Sequence, residues 1–171
     1  MKKTLLLLFL FITLAWGSST LAQVDDTRKA NFSVRASATV TDNLQMLTIR
    51  NLDLISPEVQ NDQIIVSPIT SSYAGMFKIL GNPRSRVRIT FLQTEILKEQ
   101  REGLGEVAAQ YFVSEAFEDT QIQSTPLQLG EGNVRLSERG ELFLWLGANL
   151  DLSRARPGLY LSEFILELEY I

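Results

Sequence analysis

The sequence predicts an all-β fold, a sandwich of about seven to nine mostly antiparallel strands. Three observations indicate this fold. Apolar and polar residues alternate in short runs along most of the chain. Turn-forming groups such as Asn61-Asp62, Gly81-Asn82-Pro83 and Pro157-Gly158 separate these runs. Residues 96–109 have the spacing of a helical turn or two, but two glycines interrupt them.

The chain begins with the layout of a secretory signal peptide. Two lysines precede an apolar stretch, residues 4–15, which is followed by small and polar residues up to Ala22. A helix of this length would rise about 18 Å, and a hydrocarbon core is about 30 Å thick. We therefore expect export and cleavage after Ala22, with no membrane span in the mature protein.

The mature chain is predicted to be one domain. Residues 23–30 are polar and are expected to form a flexible leader, and residues 31–171 form a single sandwich. Eight runs are predicted as strands because apolar and polar residues alternate in them. In chain order they are residues 32–40, 44–54, 63–69, 75–80, 86–92, 107–113, 141–146 and 159–171. Gly130-Glu131-Gly132-Asn133 is predicted as a turn.

Composition excludes several kinds of chemistry. The chain has no His and no Cys, so it carries no Ser-His-Asp triad, no thiol nucleophile, no disulfide and no ordinary zinc site. Removing residues 1–22 takes two of the 16 Lys and Arg residues and none of the 20 Asp and Glu residues, which leaves a net charge of −6. This charge disfavours nucleic acid as a partner. We predict a protein that is not an enzyme and that has no catalytic residues, metal or cofactor.

Three groups of residues have a functional and a plainer interpretation. Glu115, Glu118 and Asp119 could hold calcium or act as paired carboxylates, although acidic residues between strands usually form a solvated loop. Three alternating arginines, residues 84, 86 and 88, could bind an anion or form a solvent-facing row that guards the sheet. Trp145 is expected to fill the core rather than to stack on a sugar.

The last strand carries a more specific pattern. One face of it is expected to hold Gly158, Tyr160, Ser162, Phe164, Leu166, Leu168 and Tyr170. The chain ends fourteen residues after it reaches Gly158, counting that glycine as the first, and Tyr170 is penultimate. This pattern resembles the carboxy-terminal strand of chaperone-usher pilins, which borders an incomplete hydrophobic groove. Many of those pilins carry a disulfide, which this chain has no cysteines to form.

A wider resemblance covers most of the mature chain. The blocks NFSVRASATV, LTIRNLDL, AGMFKILGNPRSRVRITF and LFLWLGANLDLSRARPGLYLSEFILELEY resemble the successive blocks of the bacterial family called domain of unknown function 4402. Phe77, Gly81, Gly147, Gly158, Tyr160 and Tyr170 are in register with that family. Leu54 and Val87 depart from it, because aromatic residues are common there.

The resemblance implies an immunoglobulin-like or pilin-like sandwich from a Gram-negative bacterium, located in the periplasm, at the cell surface or outside the cell. It implies a fibre or adhesin subunit whose partners are other copies of the chain, a periplasmic chaperone and an outer-membrane usher. Pilin-like subunits assemble by strand donation, in which an extended segment completes the open sheet of a neighbour.

The chain offers one candidate donor. Phe32, Val34, Ala36, Ala38 and Val40 share one face of an extended segment near the mature amino terminus. These residues could complete another copy or could simply form the first strand of their own sandwich. In the second case, the protein could be a self-complete secreted module that binds a glycan or a protein.

Overall fold

The protein is a sandwich of two β-sheets with a hydrophobic core between them. A computed structural model of the chain describes residues 30–40, 43–128 and 130–171. The predicted signal peptide, residues 1–22, and residues 23–29 of the predicted leader lie outside the described residues. Ala30, the last residue of that predicted leader, is the first residue of a strand.

Eleven strands lie in the described residues. They are β1 (Ala30–Val40), β2 (Gln45–Arg50), β3 (Gln63–Val66), β4 (Gly75–Leu80), β5 (Arg86–Phe91), β6 (Thr94–Lys98), β7 (Glu106–Ala116), β8 (Thr125–Pro126), β9 (Glu131–Arg135), β10 (Glu141–Asp151) and β11 (Gly158–Tyr170). A 3-10 turn, Gln121–Gln123, precedes β8. The all-β prediction is confirmed.

The smaller sheet has the strand order β1-β11-β5-β9. The larger sheet has the order β2-β4-β10-β7-β6, with β3 also paired to β10 and β8 to β7. Neighbouring strands are antiparallel except for β1 and β11, which are parallel. All the remaining pairs are antiparallel, so the predicted, mostly antiparallel pairing is confirmed.

Alternation along the strands explains how the core forms. On β10, Leu142, Leu144 and Leu146 point into the sandwich and are almost fully buried. On β5, Val87 and Ile89 do the same from the opposite sheet, whereas Arg86 on the other face is exposed. Burying side chains of this size contributes about 1.5–3 kcal/mol each, which stabilises the two sheets against one another.

One local prediction was wrong, and one segment with helical spacing forms strands instead. Residues 96–109 form no helix, because β6 and the start of β7 pair antiparallel there, with Ile96 opposite Ala108. The predicted turn at residues 130–133 is mostly strand, because β9 begins at Glu131 and pairs with β5. In both segments the pairing with a neighbouring strand overrides the local composition.

One end of the sandwich is held by close backbone packing and a tyrosine. A Cβ on Gly140 would collide with the carbonyl oxygen of Gly81, and Gly140 has a φ of +76°, so glycine suits this position. The Gly81 N–H donates to the Gly140 carbonyl at 2.9 Å. The Tyr170 hydroxyl accepts the N–H of Asn82 at 2.8 Å, which ties the end of β11 to the same turn.

Among the described residues, no helix is both long and apolar enough to cross a membrane.

Candidate strand-exchange site at the first and last strands

The first and last strands lie side by side in the smaller sheet. Their parallel register runs without interruption from Ala30 opposite Gly158 to Val40 opposite Leu168. Because side chains alternate between faces on both strands, the inward residues of β1 lie beside the inward residues of β11. The segment predicted as either a donor or a first strand is therefore the first strand of its own sandwich in this structure.

Phe32 anchors β1 in the core. Its side chain is 6% exposed, and its ring stacks on Tyr160 with 5.3 Å between centroids and 24° between planes. The other residues of the candidate donor face are Val34, Ala36, Ala38 and Val40. The first three of these are partly buried against the core. Among the described side chains of β1, Phe32 is therefore the largest apolar one that holds the strand in the core.

The inward face of β11 forms the other half of the site. It consists of Gly158, Tyr160, Ser162, Phe164, Leu166, Leu168 and Tyr170, as the sequence predicted from alternation. Phe164 packs against Phe91 and Tyr111, with ring centroids 6.0 and 4.9 Å apart. The Tyr160 hydroxyl accepts the N–H of Arg156 at 2.8 Å and donates to its carbonyl at 2.9 Å. The start of β11 is therefore fixed by both ring packing and hydrogen bonds.

A buried carboxylate lies against the start of β11. Glu99 accepts the backbone N–H groups of Arg101, Glu102 and Gly103 at 2.9, 2.6 and 3.2 Å. These hydrogen bonds, with those from Glu102 and Arg101 the strongest, hold the pKa of Glu99 below its usual range. A Cβ on Gly158 would collide with the Glu99 side chain, so glycine at the start of β11 makes room for this carboxylate.

A chain of polar groups joins the two sheets beside Phe164. The Tyr111 hydroxyl donates to Ser162 Oγ at 2.7 Å, and Ser162 Oγ donates to Glu95 Oε2 at 2.6 Å. Burial raises the pKa of the Tyr111 phenol to about 12. Sequence reasoning missed these roles of Glu95 and Glu99, because it expected no strand at β6. Ser162 was the available signal, because it is a polar residue in the middle of an apolar face.

The outer edge of β1 is open. Among the described residues, β1 has β11 as its one strand partner. A groove follows this open edge between residues 32–35 and residues 51–55. The far wall is fixed, since Asp53 accepts the N–H groups of Ile55 and Ser56 at 2.9 and 3.0 Å. Hydrogen bonding to Ser56 is the largest cause of the lowered pKa of Asp53.

The acidic cluster does not form a metal site in the described residues. No group of three or more Asp and Glu side chains there could hold a metal ion. Glu115 is half-buried on β7, and burial raises its pKa. Glu118 and Asp119 lie in the exposed loop that follows.

The arginine row and the tryptophan have different surroundings. Arg86 and Arg88 lie on the outer face of β5, but Arg84 lies in the preceding turn with a φ of +61°. Trp145 is 1% exposed, as expected for a packed residue. It lies on the other face of β10 from the leucines of the main core, and its ring stacks beside Phe143 with 6.3 Å between centroids.

In comparisons with protein-family models and with curated proteins, nothing matches this chain.

Proposed function

We propose that the protein is a non-enzymatic structural subunit of a bacterial surface fibre or adhesin, assembled by exchange of β1 between copies. In each assembled pair, β1 of one copy lies beside β11 of the next. In the isolated chain, β1 occupies the place beside β11 in its own molecule. The observation that carries this proposal is the parallel ladder between β1 and β11, which joins the two ends of the described chain.

The way in which β1 is attached supports exchange. A strand bonded along one edge can leave its sheet without breaking any other pair of strands. Phe32 contributes about 1.5–3 kcal/mol on burial, and each backbone hydrogen bond contributes about 0.5–1.5 kcal/mol. An identical strand from another copy would restore all of these contacts. Exchange between copies is therefore close to neutral in free energy. Whether β1 sits in its own molecule or in a neighbour then depends on how β1 is connected along the chain to the rest of its own domain.

Export and family membership belong to the same proposal. The signal-peptide pattern supports export to the periplasm, the cell surface or the medium of a Gram-negative bacterium. The resemblance to the domain of unknown function 4402 family supports a pilin-like role. A periplasmic chaperone and an outer-membrane usher would be partners if β1 must be kept from its groove before assembly.

A self-complete secreted binding module is the second candidate function. The burial of Phe32 against Tyr160 of the same chain favours this function, because a filled groove needs no donor. The ligand would then be a glycan or a protein bound elsewhere on the surface. The buried position of Trp145 favours a protein ligand over a sugar stacked on that ring.

A pair of introduced cysteines tests exchange directly. Ser33 and Leu161 are partners in the ladder and both side chains are exposed, so Ser33→Cys and Leu161→Cys are suited to form a disulfide. The natural chain has no cysteine, so no other thiol competes. The full chain carrying both changes is exported to the periplasm, oxidised and run on a denaturing gel without reductant. Strand exchange links each copy to the next and yields a ladder of covalent oligomers.

A second pair provides the matched control. Thr90 and Glu131 are partners within the β5–β9 pair, which exchange of β1 leaves intact. Thr90→Cys with Glu131→Cys should give a monomer whether or not exchange occurs. A ladder from the first pair and a monomer from the control support the structural subunit. Monomers from both pairs, at concentrations where the protein is isolated from cells, would leave the self-complete module.

A further inference from the structure

Two arginines face each other on the outer surface of the smaller sheet. Arg86 of β5 and Arg135 of β9 are cross-strand partners, and both side chains are exposed. Like charges directly opposite one another destabilise a sheet. Among the described residues, neither guanidinium forms an ion pair. The strand register therefore places two cationic residues side by side, and among the described residues no carboxylate lies within ion-pair distance of either.

The next row of the same sheet shows how the fold otherwise treats an arginine. Arg88 lies one row further along β5, between carboxylates on both neighbouring strands. Its guanidinium is 2.9 Å from Glu169 and 3.4 Å from Glu131. The side chains of these two strands therefore form ion pairs with Arg88 and none with Arg86, whose backbone carbonyl accepts the N–H of Ile171 at 3.1 Å.

The arginine pair stands on a fixed piece of backbone. The Nε of Arg135 donates to the carbonyl of Arg84 at 3.1 Å, which directs the Arg135 side chain toward the turn before β5. The Arg84 N–H in turn donates to the Ser137 carbonyl at 3.0 Å. Arg84 has a φ of +61°, which is uncommon for a residue other than glycine and fixes the turn that leads into β5.

We propose that Arg86 and Arg135 form a binding site for a tetrahedral oxyanion, a phosphate or sulfate group. Such a group supplies the negative charge that the pair lacks. A carboxylate offers two oxygens in one plane, whereas a phosphate or sulfate group offers three or four around a tetrahedron and can therefore face two guanidinium forks at once. The group can be a free ion or an ester on a polymer. The inference does not depend on whether β1 exchanges.

The test follows the Nε–Hε signals of the arginines by NMR in the full chain, purified after export. Inorganic phosphate, acetate and a sulfated oligosaccharide are titrated separately, with sodium chloride holding the ionic strength constant. The proposal expects saturating shifts with phosphate that are confined to Arg86 and Arg135, and at least tenfold weaker binding of acetate. Tighter binding of the oligosaccharide than of phosphate identifies a polymer as the source, and the reverse identifies a free ion.

Variants decide between a site and general screening of charge. Arg86→Gln with Arg135→Gln should abolish the saturating shifts, and Arg101→Gln, which removes an exposed arginine in another turn, should leave them unchanged. Shifts that grow linearly, that spread to Arg35 and Arg101, or that are as strong with acetate would overturn the proposal.

The stability of the unliganded protein provides a second readout. Removing one of two repelling charges should leave the midpoint of urea unfolding unchanged or raise it in Arg86→Gln. A structural role for Arg86 predicts the opposite. A lowered midpoint would therefore count against a ligand site, even if binding were also lost.

Discussion

Tyr160 shows how one residue can fix both the start of the last strand and the seat of the first. Its ring lies under Phe32, while its hydroxyl is held by the backbone of Arg156. A Cβ on Gly105 would collide with that hydroxyl, so the loop before β7 leaves room for it. Tyr170 acts in the same way at the other end, through the N–H of Asn82. The two tyrosines at the ends of β11 are therefore structural anchors.

Truncating Phe32 is expected to weaken the attachment of β1 more than truncating an exposed residue of the same strand. Phe32→Ala removes the stacked ring and leaves a cavity over Tyr160, so the free energy of unfolding should fall by about 3 kcal/mol. Ser33→Ala, on the exposed face of the same strand, should change it by less than about 0.5 kcal/mol. Urea unfolding of the two variants measures the difference. Equal stability would mean that Phe32 does not hold β1 in solution.

At the scale of strands, alternation predicted most of the fold. The last strand was predicted at residues 159–171 and is observed at Gly158–Tyr170, because a strict two-residue period fixes both faces over a long run. The apolar face of β1 was predicted for the same reason. Its neighbour was not predictable, since the pattern within one strand does not reveal which other strand it pairs with, or in which direction.

The missed strands have local composition that opposes their structure. In residues 96–109, apolar residues at both ends have helical spacing, and the period is broken where β6 turns into β7. In β9, Gly132 weakens the strand pattern and is buried where a Cβ would lie 2.9 Å from Leu127. Pairing across strands decides both segments, and a single sequence carries little information about it.

Hydrogen exchange should separate β1 from the centre of the larger sheet. β10 has neighbours on both edges along most of its length, whereas β1 is paired along one edge. We expect the amides of β1 to exchange through local opening, well before those of β10, which require global unfolding. Mass spectrometry of peptides from both strands measures the rates. Equal protection of β1 and β10 would show that β1 opens only when the whole domain unfolds. Exchange of β1 strands between folded copies would then be slow.

At the scale of the whole molecule, folding shifts the pKa values of several carboxyl groups and of one phenol among the described residues. Hydrogen bonds hold the pKa of Asp53, Glu99 and Asp151 below their usual values, and Lys78 does the same for Glu141. Burial has the opposite effect on two groups, because it raises the pKa of Glu115 and raises that of Tyr111 to about 12. Histidine and cysteine, which normally titrate between these groups, are absent from the chain.

These displacements predict a broad plateau of stability with a fall on each side. A carboxylate whose pKa is lower in the folded state stabilises it above the unfolded pKa, and this contribution is lost as the pH falls through the folded value. Glu115, whose pKa is raised, has the opposite effect: it stabilises the folded state at low pH, and this contribution is lost as the pH rises through its folded pKa. Tyr111 releases its proton more easily when unfolded, so stability falls as the pH rises from about 10 toward 12, by up to about 2 kcal/mol. Between about pH 6 and pH 9 the free energy of unfolding should be nearly constant.

Tyr111→Phe isolates the alkaline side of this profile. The variant loses the hydrogen bond to Ser162, so its free energy of unfolding should be about 1 kcal/mol lower near neutral pH. It also loses the phenol that titrates, so the difference between the two proteins should shrink as the pH rises above about 10. Urea midpoints at pH steps from 6 to about 11.5 measure this convergence. Parallel curves that stay equally separated would show that the alkaline loss of stability arises outside the network that joins the two sheets at Tyr111.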